Sequence, residues 1–208
     1  DPGAYAPACR TLLTTGATGT SWASFASANS SPLKNLRDGR AAIIRTLQRP
    51  PNTLLLSDAA AQTLADHPEV KDVLKFTHGR AWLQGSGLPE ELRGLNILVG
   101  SAVANAAPPG APYNGDFLFL EPGTGHACAV LCYVPPGNTI GPRAVTSFAW
   151  FDAPDATTRQ HGISLRHYRD ERRKGTIVEA AITLDFRPIV VDSAGLITGA
   201  YLIRGCTL

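Results

Sequence analysis

The sequence predicts an α+β fold. Three observations carry that expectation. Residues 32–48 (PLKNLRDGRAAIIRTLQ) have helical periodicity, and residues 50–76 read as strand, helix, helix. From GISLRHYRD onward the apolar residues alternate as in strands, with no sustained βαβ order and no internal repeat.

The elements follow in chain order. Residues 1–30 are rich in Ser, Thr, Gly and Ala, which predicts an arm or loop rather than core, with Trp22 and Phe25 as its anchors. Ser31 can cap the next helix and Pro32 suits its first position. Leu33, Leu36, Ile43, Ile44 and Leu47 form its apolar stripe, while Lys34, Arg37, Arg40 and Arg45 decorate the rest. Gly39 costs about 1 kcal/mol against Ala in mid-helix, so it marks a close packing or a bend. Pro50 and Pro51 end the helix, and Thr53 to Leu56 read as a short buried strand. Ser57 or Asp58 caps a helix running through Leu64. His67-Pro68 stops it and starts another, with Glu69 favourable in the first turn.

Beyond a Gly-containing loop, LPEELRG reads as a helical turn and LNILVG as a strand. NAAPPGAPYNG and PPGNTIGPR are long Pro/Gly loops, and DFLFLEP, HACAVLCYVP and TSFAWFD are strands. GISLRHYRD and TIVEAAITLDF are joined by ERRKG, a hairpin turn. In the second of these strands Val178, Ala180, Ile182, Leu184 and Phe186 share one face. IVVDSAGLITGAYLI supplies two more short strands around a turn.

Composition narrows the function. At 208 residues the chain can build one compact domain or two small ones without staples. Charged residues are only 17%, which points to a surface partly covered by something else. A net charge of +2 advertises no nucleic acid as main partner. No apolar run approaches the ~18 residues of a membrane span, and no secretory signal pattern is present. The chain starts DPGAYAP and has no methionine, which reads as processing, truncation or omission.

Chemistry-bearing motifs are scarce. No G-x-S-x-G, Walker loop, H-E-x-x-H or EF-hand loop occurs. Glu90-Glu91 reads as dipole compensation at a helix start. His126, Cys128 and Cys132 could align as a soft metal site or serve a thiol enzyme. Their spacing fits no standard zinc pattern, and buried core thiols are the plainer reading. No catalytic residue, cofactor or metal is expected.

Several pieces together resemble the major capsid proteins of tailed phages with the Hong-Kong-97-like fold, in the branch common in prophages. They are GTSWAS, SPLKNLRDGRAAI, PNTLLLSDAAAQTLADHPEVKDVLKFT, LNILVGSAVANA, SFAWFD and VEAAITLDFRPIVVDSAGLITGAYLI, spread over residues 20–203. The resemblance implies a peripheral domain (spine helix plus long strands) at 31–52 and 160–187. It implies an axial domain at 53–159 and 188–208, with residues 1–30 a remnant of an N-terminal arm and extended loop that are largely missing. It further implies a structural, non-enzymatic protein that self-assembles into hexamers and pentamers of an icosahedral shell. Scaffold, portal and head-decoration proteins are implied partners, with weak, non-specific contact with packaged DNA and none with a membrane. The implied location is the virion, and the bacterial host cytoplasm before assembly. An encapsulin-like compartment shell is the alternative within the fold. Interface candidates are the basic hairpin residues Arg166, Arg169, Arg172, Arg173 and Lys174, and the loop residues Pro108, Pro109, Pro112, Tyr113, Pro136 and Asn138.

Overall fold

Two apolar runs, TLLLS and CAVLC, lie side by side at the centre of a six-stranded sheet in the computed structural model. The structure describes residues 9–14, 19–77, 88–105, 107–120, 125–137, 143–149, 158–160, 163–172, 174–182, 184–191 and 197–207. The elements run β1 (Arg10–Leu12), α1 (Pro32–Leu47), β2 (Thr53–Ser57), α2 (Asp58–Asp66), α3 (Pro68–Thr77), β3 (Glu91–Leu92) and β4 (Leu95–Gly100). They continue β5 (Val103–Asn105), β6 (Gly115–Phe117), β7 (Cys128–Cys132), β8 (Val145–Ala149) and β9 (Thr158–Gln160). Last come β10 (Ile163–Asp170), β11 (Gly175–Ile182), β12 (Leu184–Pro188) and β13 (Ala200–Arg204).

The described residues divide into two compact units, residues 1–144 with 190–208, and residues 145–189. In the first, the sheet order is β1-β13-β7-β2-β4-β3. β1 and β13 are parallel, as are β2 and β4, while β13–β7, β7–β2 and β4–β3 are antiparallel. β2 and β7 lack polar alternation because both faces carry apolar contacts: one meets the helices, and on the other Leu55 and Val130 are half-buried. Register places Leu54 beside Leu131 and Leu56 beside Ala129, with Tyr201 and Ile203 on the same face. That face joins one core with Leu33, Leu36, Ile43 and Leu47 of α1, Leu64 of α2, Val70 and Leu74 of α3, and Trp22. A smaller cluster of Cys132, Ala144 and Ala200 occupies the opposite face.

Gly39 faces Tyr201: a Cβ there would lie 2.7 Å from the ring's Cδ1, so the missing side chain lets α1 sit down on β13. The helix ends at Gln48 in the left-handed conformation (φ 54°), whose N–H donates to Ile44 O, just before Arg49-Pro50-Pro51.

Several expectations change. LPEELRG is not a helical turn. Arg93 (φ 53°) and Gly94 (φ 79°) form a tight hairpin turn between β3 and β4, because two successive positive φ values match the twist of a two-residue hairpin. Glu90 and Glu91 therefore compensate no helix dipole. Residues 1–30 are not all outside the core: β1 adds an edge strand beside β13, and Cys9, Leu13 and Trp22 are buried. In DFLFLEP the strand β6 ends at Phe117, and residues 118–120 leave strand geometry. TIVEAAITLDF splits in two, with β11 pairing β10 and β12 pairing β8. HGRAWLQGSG and the DSAG turn lie outside the described residues.

The unit at 145–189 holds a three-stranded sheet, β11-β10-β9, and a two-stranded one, β12-β8. Its longest strands are β10 and β11, at Ile163–Asp170 and Gly175–Ile182. α1 packs on β13, β7 and α3 in the first unit. The residues that share cores with the stripe of α1 lie on β2, β7 and β13, which explains the grouping.

Candidate subunit interface

The loop joining β5 and β6 carries Pro108, Pro109, Pro112 and Tyr113, all exposed. Its conformation is held from within. Asn105 Oδ1 accepts from the N–H groups of Ala107 (3.1 Å) and Asn114 (3.0 Å), and Ala111 N–H donates to Pro108 O (3.1 Å). This is the Asx mode of turn closure, with prolines limiting the remaining freedom. Tyr113 lies over Gly115, where a Cβ would come within 2.9 Å of its ring, yet the tyrosine is 71% exposed. The loop is thus a preshaped, largely neutral projection with Val103, Phe117 and Leu118 exposed at its base.

The second loop starts at a fixed point. Asn52 Nδ2 donates to Val134 O (2.6 Å), while Val134 N–H donates to Asn52 Oδ1 (2.8 Å). Pro136 follows and is exposed, and Asn138 lies outside the described residues. Asn52 was not singled out from sequence. An Asn after a double proline at a strand start is the signal that could have found it.

The basic residues of the β10–β11 hairpin do not form one patch. Cross-strand pairing sets Arg166 opposite Glu179 and Tyr168 opposite Ile177 on one face, and Arg169 opposite Thr176 and His167 opposite Val178 on the other. The Arg166 guanidinium lies 5.5 Å from the Tyr168 ring centre, and Arg169 Nε lies 3.5 Å from Glu171 Oε1. Arg172 sits at the tip, its N–H donating to Asp170 Oδ1 (3.0 Å), beside Lys174 with φ 49°. Arg173 lies outside the described residues. The tip gathers Arg172 and Lys174, and the ribbon separates the other two arginines.

Apolar groups are uncovered in the same unit. Val178 is 61% and Phe186 66% exposed, and Phe148, Tyr168, Val145 and Ile189 are exposed as well. Val178 and Ala180 share a face of β11 and both are exposed, while Phe186 is exposed on β12, a strand of another sheet. On β12, Arg187 Nε donates to Asp185 Oδ2 (2.7 Å), and that bond raises the guanidinium's pKa further.

His126, Cys128 and Cys132 do not converge on a site. Cys128 and Cys132 are buried on β7, and burial pushes the Cys132 thiol up to about 11, away from the reactive thiolate. Among the described residues, no three His, Cys, Asp or Glu side chains are grouped to hold a metal ion. Among them also, no helix is long and apolar enough to cross a membrane.

No family model and no curated protein matches the chain. Among solved structures, its fold is similar to that of a phage-related protein from Bordetella bronchiseptica, with a TM-score of 0.64 and 21% identity. The match covers 100% of this chain and 60% of that one, so the chain spans less than two thirds of that protein's length. At this identity the likeness is one of fold, here a mixed α+β arrangement.

Proposed function

We propose that the chain is a phage structural protein, a shell subunit of the Hong-Kong-97-like type that self-assembles around the phage genome. The single observation that carries the reading is the exposed apolar side chains among the described residues of 145–189, with Phe148, Val178 and Phe186 on two- and three-stranded sheets. Isolated small sheets need a covered face for independent stability, so other copies of the subunit are the cover this reading supplies. The fold likeness to a phage-related protein over the whole chain supports it, as does the order of the sequence motifs. The preshaped Pro/Tyr loop at 107–114 suits contact around a symmetry axis, and the Arg172–Lys174 tip suits acidic groups of neighbouring subunits.

In this reading the protein is no enzyme. Its partners are further copies in hexamers and pentamers, with scaffold, portal and decoration proteins joining the same shell. With a net charge of +2, contact with packaged DNA is weak, non-specific and lost with added salt. The virion is its final location, reached from the host cytoplasm. Electron microscopy of the full-length product at high concentration tests the proposal. Rings or closed shells are expected, because a heterologous contact propagates until it closes. A strict monomer, or two-fold dimers alone, would overturn it.

A further inference from the structure

Among the described residues, His67 is the one buried side chain of acidic or basic type. It is 3% exposed at the junction of α2 and α3. The N–H of Glu69 donates to its Nδ1 (3.2 Å), so the ring nitrogen caps α3 as a serine or aspartate oxygen would. Because a backbone N–H can only donate, Nδ1 carries no proton, and the neutral ring holds its proton on Nε2. Nε2 is 3.2 Å from Ser30 Oγ, which itself donates to Ser21 O (2.7 Å). Ser21 Oγ donates in turn to Cys206 O (3.1 Å), and the Phe25 ring meets His67 edge-on at 5.9 Å. One imidazole thus ties the segment before α1, and through it residue 206, to the start of α3.

We propose that His67 is a pH-sensitive latch: protonation of its ring releases residues 19–31 from the α2–α3 junction while the central sheet stays folded. The mechanism is geometric. A proton on Nδ1 would point at the Glu69 N–H, setting donor against donor at a buried site. Residues 19–31 carry no ionisable side chain that could offset the new charge. On the other packed elements, Asp66 and Lys71 pair with each other at 2.9 Å, and Lys34 on α1 is exposed. The Cys206 thiol is turned to Ile203 O (3.8 Å). Glu69 is the carboxylate that favours the charged ring, and burial outweighs it, so the ring's pKa lies below 6.5 in the closed state. The sign follows. The open state binds the proton more readily, so the closed state is fully favoured above pH 6.5 and loses its advantage as pH falls toward the lowered value. One unit below 6.5, opening is favoured by up to about tenfold.

Hydrogen exchange of the chain at about pH 7.5 and about pH 5.5 tests the latch, read as protection factors. Protection of the amides of Phe25, Ser27 and Ser30 is expected to fall severalfold, to at most about tenfold, at the lower pH. Protection in β2 and β7 is expected to hold. His67→Asn keeps an acceptor for the Glu69 N–H, cannot titrate, and is expected to abolish the response. Unchanged protection in the wild type, equal loss in β2 and β7, or a response that survives His67→Asn would each overturn the proposal. Should that variant fail to fold, an NMR titration of the His67 ring in the wild type decides. A pKa below 6.5 with the proton on Nε2 supports the latch, and a pKa at or above 6.5 refutes it.

Discussion

The unit formed by residues 1–144 and 190–208 and the unit formed by residues 145–189 use their apolar residues differently. In the first, Leu54, Leu56, Leu131, Ile203 and Trp22 are fully enclosed by three helices and one sheet face. In the second, Phe148, Val178 and Phe186 stand on open strands. Both show good local patterning, but among the described residues the apolar side chains of the first are enclosed and those of the second are exposed. The contrast teaches that strand alternation announces a face, and that a covering layer, from this chain or another, decides whether the face becomes a core.

That contrast can be broken by substitution. The largest effect is expected from Leu131→Ala, which leaves a void between α1 and the central strands. It should cost about 2–5 kcal/mol in chemical denaturation. A cost below about 1 kcal/mol would mean that the first unit is packed far more loosely than its burial implies. Next comes Gly39→Ala. The added Cβ meets Tyr201 at 2.7 Å, so α1 must shift or the ring must give, and a loss of about 1–3 kcal/mol is expected despite better helix propensity. A stabilised variant would show that the α1–β13 contact yields easily.

Smaller again is Glu69→Ala. The Glu69 carboxylate accepts from Ser31 Oγ (3.1 Å to each oxygen) and from Leu33 N–H (3.3 Å), so it caps α1 from another helix. Its loss should cost about 0.5–2 kcal/mol, in the range of a removed helix cap, and should fray the first turn of α1 in hydrogen exchange. The smallest folding effects belong to the second unit. Phe186→Ser and Arg172→Glu should each change subunit stability by no more than about 0.5 kcal/mol, because neither side chain is buried. On the shell reading, both should depress assembly of the full-length product in light scattering, with the Arg172→Glu defect depending on salt. Normal assembly by both would leave the exposed surface of this unit without its proposed role.

Much of the fold was legible wherever its causes lie within a few residues. The left-handed Gln48 before two prolines, Ser57 accepting from Ala60 N–H at 3.4 Å, and the helix restart at His67-Pro68 all follow from local steric and capping rules. Gly39 was legible as a close packing or a bend, though not which of the two, nor its partner Tyr201. The interface candidates were legible as Pro-rich loops and a charged hairpin, but their arrangement was not. Alternation on β10 and β11 sends Arg166 and Arg169 to opposite faces only once the register is known.

What the tertiary structure alone decided is what depends on groups distant in sequence. Ser31 has the right side chain for a cap, yet its hydroxyl turns to Glu69, because α3 brings a carboxylate to the same helix end. The run from 175 to 188 has one alternation but two pairing partners, β10 and β8, and nothing within the run tells them apart. His67 reads as a helix stop in the sequence. It becomes a buried hydrogen-bonded node only when residues 21–30 and 206 are folded over it. Local sterics and periodicity act along the chain and can be read there. Pairing, burial and the protonation of a buried ring depend on which distant segment supplies the other half, and only the packed structure specifies that.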